Sequence, residues 1–337
     1  MLSLSARFAM LPEHQRTATM KQRLYESQAN DAYWHGLFGG LYLPHLRRAV
    51  YRAIVELEAL LDACLPRPAH FVEDIDLDGV EEIFFQNGVI QAVLKIDGGG
   101  SICELDSYAL KHNFGDTLRR QAEHYYRRIH QSGDNAHGHG GAGIASAHER
   151  TSFKHKIDAS DMAADGHARG LFMDRLNGVP ISYQHEPTTS HAVSFWADVF
   201  PLHIKKVFRL VDNRLFVSYR FAGEVEGVFS TEINLAMPSC DGWSGRYIHQ
   251  GKICGGFGQQ LNLFAMIRIM LDDDELGGSI ALSVSSPVTL RMQPYYSVSQ
   301  SEGGFEKIMQ AVTAKVEWPV TAGELIITLE FNIKESA

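Results

Sequence analysis

Asn30, Asp31, Trp34 and His35 fall within six positions of "QANDAYWHGLFGGLYLPHLRRAV", residues 28–50. An indole offers a flat apolar face to a sugar ring. An amide, a carboxylate and an imidazole beside it can hydrogen-bond the ring's hydroxyls, and small ligands are held by such an apolar wall with a few placed polar groups. Gly36, Gly39 and Gly40 let the backbone turn tightly or approach a neighbour closely. The same residue types also suit a helix N-terminus with an Asx cap and a buried anchoring Trp. The residues alone leave both readings open.

Other stretches carry possible chemistry. In "DIDLDGVEE", Asp74, Asp76, Asp78 and Glu81 place oxygen donors around Gly79, a spacing that suits Ca²⁺. It is not an EF-hand, because Phe85 stands at the twelfth position, where that loop needs a bidentate Glu; an acidic turn between strands is the alternative. Asp134, His137 and His139 in "DNAHGHGG" offer zinc-type donors within a tract that reads better as a solvated linker. Glu224 with Glu226, and Glu104 with Asp106, are carboxylates at i and i+2, expected to be solvated charges on a strand face. "GKICGGFG" lacks the spacing and terminal Lys-Ser/Thr of a phosphate loop. Among the other tryptophans, Trp243 lies in a Pro/Gly/Ser-rich loop and is the better sugar platform, whereas Trp318 follows alternating Val312, Ala314 and Val316 and is expected in the core.

The elements that position these residues follow from periodicity. Pro12 and the unbroken "EHQRTATMKQRLYESQ" predict a helix. Pro44 suits the first turn of a second, in which Leu46, Val50, Ala53, Ile54, Leu57, Leu60, Leu61 and Cys64 recur at three- and four-residue steps. Arg47, Arg48, Arg52, Glu56 and Glu58 fall on its other face, and Pro66 and Pro68 end it. From about residue 70 the period becomes two, in "GVIQAVLKI", "SICELDSYA", "RLFVSYRF", "AVTAKVEW" and "LIITLEFNI". In the last of these Leu325, Ile327, Leu329, Phe331 and Ile333 share one face. One helix is expected over "DTLRRQAEHYYRRIHQ". Repeated half-buried strands with turn punctuation predict a mainly β protein: a large antiparallel sandwich at 67–337, with a Gly/His-rich loop at 132–148, behind a short helical segment at 1–66.

Composition narrows the partners. With 337 residues, 45% of them hydrophobic, the chain buries a sizeable core. A net charge of -9 argues against a nucleic-acid partner, which would favour a basic face. No apolar run approaches the roughly 18 residues of a membrane span, and "MLSLSARFAMLPEHQ" does not read as a signal peptide. Cys64, Cys103, Cys240 and Cys254 have no paired spacing and are expected to be reduced thiols of a cytoplasmic protein.

"NDAYWHGLFGGLYLPHLRRAVYRAI" resembles the last diagnostic region of glycoside hydrolase family 57, the family of 4-α-glucanotransferases and related α-amylases. "DLDGVEEIFFQNGVIQAVLKIDGGGSICELDSYALKHNFGDTLRR" and "GFEKIMQAVTAKVEWPV" are similar to its C-terminal β-domain, so the resemblance runs from near Met20 onward. It implies a supersandwich of the galactose-mutarotase type and a glucan or maltooligosaccharide ligand contacted by Asp31 and Trp34. Asn30 and His35 would face the substrate or support that contact. Ala29 stands where family members often carry Cys.

The family's nucleophile Glu and acid/base Asp belong to an N-terminal (β/α) barrel. Glycosidic cleavage needs two carboxylates flanking the bond, and Asp31 alone cannot supply both. The expectation is therefore an accessory, substrate-binding half with no catalytic residue of its own. Either a separate chain carries the barrel or this chain is a truncated product. The alternatives are a stand-alone carbohydrate-binding or assembly module, or a mutarotase-like enzyme. No cofactor beyond Ca²⁺ is expected.

Overall fold

The computed structural model describes residues 1–36, 39–127, 129, 156–187, 189, 192–223, 226–301, 304–320 and 323–334. The Gly/His-rich loop, with Asp134, His137 and His139, lies outside these residues, as does Glu224.

Three α-helices open the described chain: α1 (Leu2–Met10), α2 (Ala18–Ser27) and α3 (Pro44–Cys64). Pro12 precedes a 3-10 turn and not a helix; α2 starts later, where the Thr17 hydroxyl accepts the Met20 N–H at 3.2 Å. Pro44 occupies the first turn of α3 as its fixed φ favours. Leu4, Phe8, Leu11, Met20 and Leu24 close on Leu57 and Leu61, so α1 and α2 cover one side of α3. The opposite side is covered too. Arg47 and Glu58, expected on a solvated face, are only 7% and 6% exposed because the β-structure packs over them.

Behind α3 the strands of the described residues all pair antiparallel. One layer runs from Val193–Val199 through Leu202–Val211, Arg214–Ala222 and Gly323–Ile333 to the first part of Gly278–Ser301. The other runs from His70–Glu73 through Glu82–Gln86, Ile90–Lys95 and Ile102–Ser107, then Leu171–Leu176 and Val228–Leu235, to Gly304–Pro319 and the second part of Gly278–Ser301.

The strand Gly278–Ser301 thus belongs to both layers. Residues up to Val284 pair with Gly323–Ile333, and residues from Thr289 pair with Gly304–Pro319. Pro287, which has no N–H to donate, sits at the change of partner. Its neighbour Leu261–Asp273 bulges on either side of Met266, where Ala265 has φ 51°. Strands that switch sheets through bends make the corners of such sandwiches. A single apolar core, with Phe114, Phe229, Ile233, Leu282, Val312 and Ile327 among its members, joins the two layers.

Trp318 is in this core at 6% exposure. In the last strand Leu325, Ile327, Leu329 and Phe331 are buried as alternation predicts, whereas Ile333, at the end of the pairing, is 60% exposed. The helix expected at "DTLRRQAEHYYRRIHQ" does not form over 116–123. Tertiary partners take its side chains instead: Asp116 meets Arg47, Arg120 meets Asp165, and the Tyr125 and Tyr126 hydroxyls donate to the Val298 carbonyl at 3.1 and 3.2 Å.

One ion pair lies inside the β-core. Lys206 is fully buried, and its ammonium donates to the carbonyls of Gly100 and Phe172 and to Asp174 at 2.8, 2.6 and 2.8 Å. All three ammonium hydrogens are matched. Asp174 also accepts from Tyr183 and Tyr219 at 2.9 and 3.0 Å. Removing one member of such a pair leaves a buried charge uncompensated. Lys206→Met is expected to cost ~3–5 kcal/mol in guanidinium unfolding. Adding Asp174→Asn should return part of that loss; a double variant less stable than the single one would show that the carboxylate is not the stranded charge.

Candidate functional site

The polar-aromatic motif folds as two short 3-10 turns, Asn30–Ala32 and Gly40–Tyr42, that lead from α2 into α3. Asn30 and Asp31 are exposed on the first turn, and Trp34 is 49% exposed beside it. The glycines explain how the indole is held. The Leu41 N–H donates to the Trp34 carbonyl at 3.0 Å, and Gly40 takes φ 50°. A Cβ on Gly40 would fall on that carbonyl oxygen, and one on Gly36 would meet the indole ring at 2.6 Å. The Trp34 ring therefore lies over Gly36 with its remaining surface presented to solvent. The buried-anchor reading of Trp34 does not hold.

His35 turns inward. Its ring packs edge-on to Tyr42 (centroids 4.9 Å apart) and against Tyr125 (5.3 Å). The Tyr42 hydroxyl donates to Glu123. Burial first, and the Glu123 carboxylate second, push the Tyr42 phenol up, so it remains a donor. Tyr33 donates from its hydroxyl to the Ser27 carbonyl at 2.5 Å and, with Ala32, borders a cleft of about 410 Å³ between α1, α3 and the sheet.

Arg47, one turn into α3, fastens this loop to the β-layers. Its guanidinium donates to the Leu41 carbonyl, to both oxygens of Asp116 at 3.0 Å, and to Gln310 Oε1 at 2.8 Å. Gln310 in turn donates to the Tyr42 carbonyl at 2.9 Å and to Ser297 Oγ at 2.8 Å. Sequence reasoning placed Arg47 on a solvated face and did not single out Tyr42, Asp116, Glu123 or Gln310. The available signal was Arg47 itself, three residues before the buried Val50 and thus on the packed side of the helix.

The remaining expected residues are not all brought together. Trp243 follows the 3-10 turn Pro238–Asp241 and stands 94% exposed. Asp74, Asp76 and Asp78 do cluster, with ligand oxygens within 4.8 Å of one another, but Glu81 is not in the group. Their oxygens are already engaged. Asp74 accepts the N–H groups of Asp78 and Gly79 at 3.1 and 3.0 Å. The Lys95 ammonium meets Asp76, Asp78 and Glu82 at 2.8, 3.0 and 3.1 Å. Burial works against the Lys95 charge, yet these three carboxylates hold its pKa above the ordinary value. The Lys95 ammonium thus lies on two of the three aspartates that a Ca²⁺ ion would need and competes with such an ion for them. Glu104 and Asp106, expected to be solvated, instead point under α3: Asp106 is fully buried and Glu104 partly so.

The fold is shared with the crystal structure of 4-alpha-glucanotransferase from Thermococcus litoralis, at a TM-score of 0.71 and 24% identity over 98% of this chain and 51% of that one. The chain belongs to the alpha-amylase/4-alpha-glucanotransferase family: residues 1–61 match its middle domain, and 74–195 with 182–331 match its C-terminal domain. Relatives include a 4-alpha-glucanotransferase of Thermococcus kodakarensis, 29% identical over 93% of this chain and 47% of that protein. An alpha-amylase of Pyrococcus furiosus is 27% identical over 87% of this chain and 44% of that protein. The chain spans about half the length of these relatives. No helix among the described residues is long and apolar enough to cross a membrane.

Two outcomes test the site's construction. Arg47→Met should cost ~2–4 kcal/mol in chemical unfolding, because half-buried Asp116 loses its cation and Gln310 and the Leu41 carbonyl lose their donor, and should change Trp34 fluorescence as the loop loosens. Calcium should leave the wild-type melting temperature unchanged and raise that of Lys95→Ala, in which the competing ammonium is gone; stabilisation of the wild type by Ca²⁺ would contradict the account of Lys95.

Proposed function

We propose that this chain is the glucan-binding half of an α-glucan-active glucanotransferase or amylase, acting with a polypeptide that supplies the catalytic barrel. The observation that carries the reading is the presentation of Trp34. Exposing half an indole forfeits burial of a large apolar ring, and the Gly36–Gly40 trap holds it in that position beside the exposed Asp31. A pyranose ring could lay its C–H face on the indole while its hydroxyls donate to the Asp31 carboxylate and meet the Asn30 amide. His35 packs behind the loop, so its part is to hold Trp34 in place. Trp243, exposed on the β-layers, is a second platform for a longer glucan.

The family and the half-length match to its relatives support the division of labour. Cleavage or transfer of a glycosidic bond would take its two flanking carboxylates from the polypeptide corresponding to the relatives' other half. The carboxylates of this chain would complete the cleft wall.

Titration calorimetry with maltooligosaccharides tests the binding. Trp34→Ala should weaken affinity by about tenfold or more, the worth of a stacked ring, and Asp31→Asn by a smaller factor. Amylose conversion should require a barrel-bearing polypeptide. Unchanged affinity in Trp34→Ala would remove the assignment of the indole; rapid conversion by this chain alone would overturn the division of labour. Binding without any complemented activity would instead favour a stand-alone carbohydrate-binding module.

A further inference from the structure

Glu104 and Asp106 alternate on the strand Ile102–Ser107, so both side chains leave one face of the sheet and enter the joint beneath α3. Asp106 Oδ2 accepts from the Gln91 amide at 3.0 Å, and the same nitrogen donates to Glu58 of α3 at 3.1 Å. Asp106 Oδ1, fully buried, has no donor among the described residues.

The cations around the joint are engaged elsewhere. Arg67 meets Glu58 at 3.2 Å and Asp62 at 2.8 Å, and Arg7 of α1 also meets Asp62. Arg47 is held by Asp116. Lys95, on the adjoining strand, is held by Asp76, Asp78 and Glu82. The Met1 amino group acts on Glu104 through space. Burial pushes up the Tyr51 and Tyr108 phenols and the Cys103 thiol, which stay neutral. It also outweighs Arg67 at Glu58 and Arg47 at Asp116, raising both acids. Glu104 and Asp106 therefore lie side by side on one face of the strand, within reach of each other, with no cation in hydrogen-bond contact among the described residues. Two ionised carboxylates so placed would repel and lose hydration, whereas one proton between them makes a charge-assisted hydrogen bond.

We propose that Glu104 and Asp106 share a single proton, and that this proton latches the helical segment carrying Asp31 and Trp34 to the β-supersandwich. Oδ1 of Asp106 carries the proton and donates to Glu104; ionisation releases it to solvent, leaves two like charges under α3, and loosens the segment. Burial is the main cause that raises both acids, Glu104 from 4.5 to about 7 and Asp106 well above its ordinary value. The folded protein is thus the better proton binder. Glu104's own part of the contribution is intact below the unfolded chain's value of 4.5 and falls as pH rises to about 7; the shared proton, carried by Asp106, is held through neutrality and is lost only as pH rises above that.

Calorimetry of the whole chain across this range is the test. The wild type should lose ~3–8 °C of melting temperature from about pH 5 to about pH 9, and Asp106→Asn, whose amide keeps a donor toward Glu104 at every pH, should lose less than half as much. Superimposable profiles would overturn the latch. Should Asp106→Asn not fold, the wild type still decides. Its infrared spectrum at neutral pH should contain a protonated-carboxyl C=O absorption that disappears in step with the fall in stability, and a neutral spectrum without it overturns the proposal. Neither readout involves glucan, so failure here leaves the binding reading standing.

Discussion

A charged side chain inside a helix joint must be satisfied on every donor or it unfolds what it was meant to join. Arg47 meets that demand by drawing in three different parts of the chain: the Leu41 carbonyl of the motif, the Asp116 carboxylate of the irregular stretch, and Gln310 of the β-layers. None of these parts can move without stranding a guanidinium hydrogen. The position of the Trp34 loop is therefore a property of the whole molecule more than of its own residues. A planar guanidinium suits this task because its fixed fork addresses several acceptors at once, which an ammonium cannot reproduce.

The β-layers supply the rigidity that makes such fastening useful. Gln310 and Ser297 lie on the paired strands Gly304–Pro319 and Gly278–Ser301, deep in a ladder that runs from Thr289 to Ser301. The second of these strands also belongs to the opposite layer, so any displacement of the ladder would be transmitted into both sheets. The core pair of Lys206 and Asp174 fixes the other end of the sandwich. With the charged pair of the β-core matched, the supersandwich is a stiff base. The helical segment rests on it through contacts that are mostly polar: Arg47, Gln91 with Glu58, and Arg48 with the Pro238 carbonyl at 2.7 Å.

Much of this was legible in the sequence, and the failures share a cause. Alternation located the strands and the buried face of the last one, because a side-chain period of two reports burial on one face directly. The three- and four-residue steps located α3 and its packing on α2. The motif was legible by residue type, although whether Trp34 faced solvent depended on the backbone trap at Gly40. The misread residues are charged ones whose partners are distant in sequence. Arg47 and Glu58 were assigned to solvent because an apolar stripe sorts every charge to the far side, and a helix packed on both sides has no far side. Asp116 and Arg120 lie in a run with helical propensity that yields to ion pairs with Arg47 and Asp165. The acidic turn at Asp74–Asp78 looked like a metal loop because its counter-ion, Lys95, is contributed by another strand.

The carboxylates of the chain also bear on where any bond-breaking chemistry would reside. Catalysis at a glycosidic centre needs two acids on opposite sides of a bound sugar, about 5–5.5 Å apart for retention and about 6.5–9.5 Å apart for inversion. Glu104 and Asp106 have the raised proton affinity of a general acid, but they stand two residues apart on one face of a single strand and not on opposite sides of a cleft. Asp31 has the opposite character: it is open to solvent and has the half-exposed indole of Trp34 near it in the motif, but no acid partner there. Tuned acidity and solvent exposure thus occur in different places in this chain. That separation is what a half-enzyme would show if its acids had been selected for holding the joint and its loop for lining a cleft. An enzyme working alone would need both at one site.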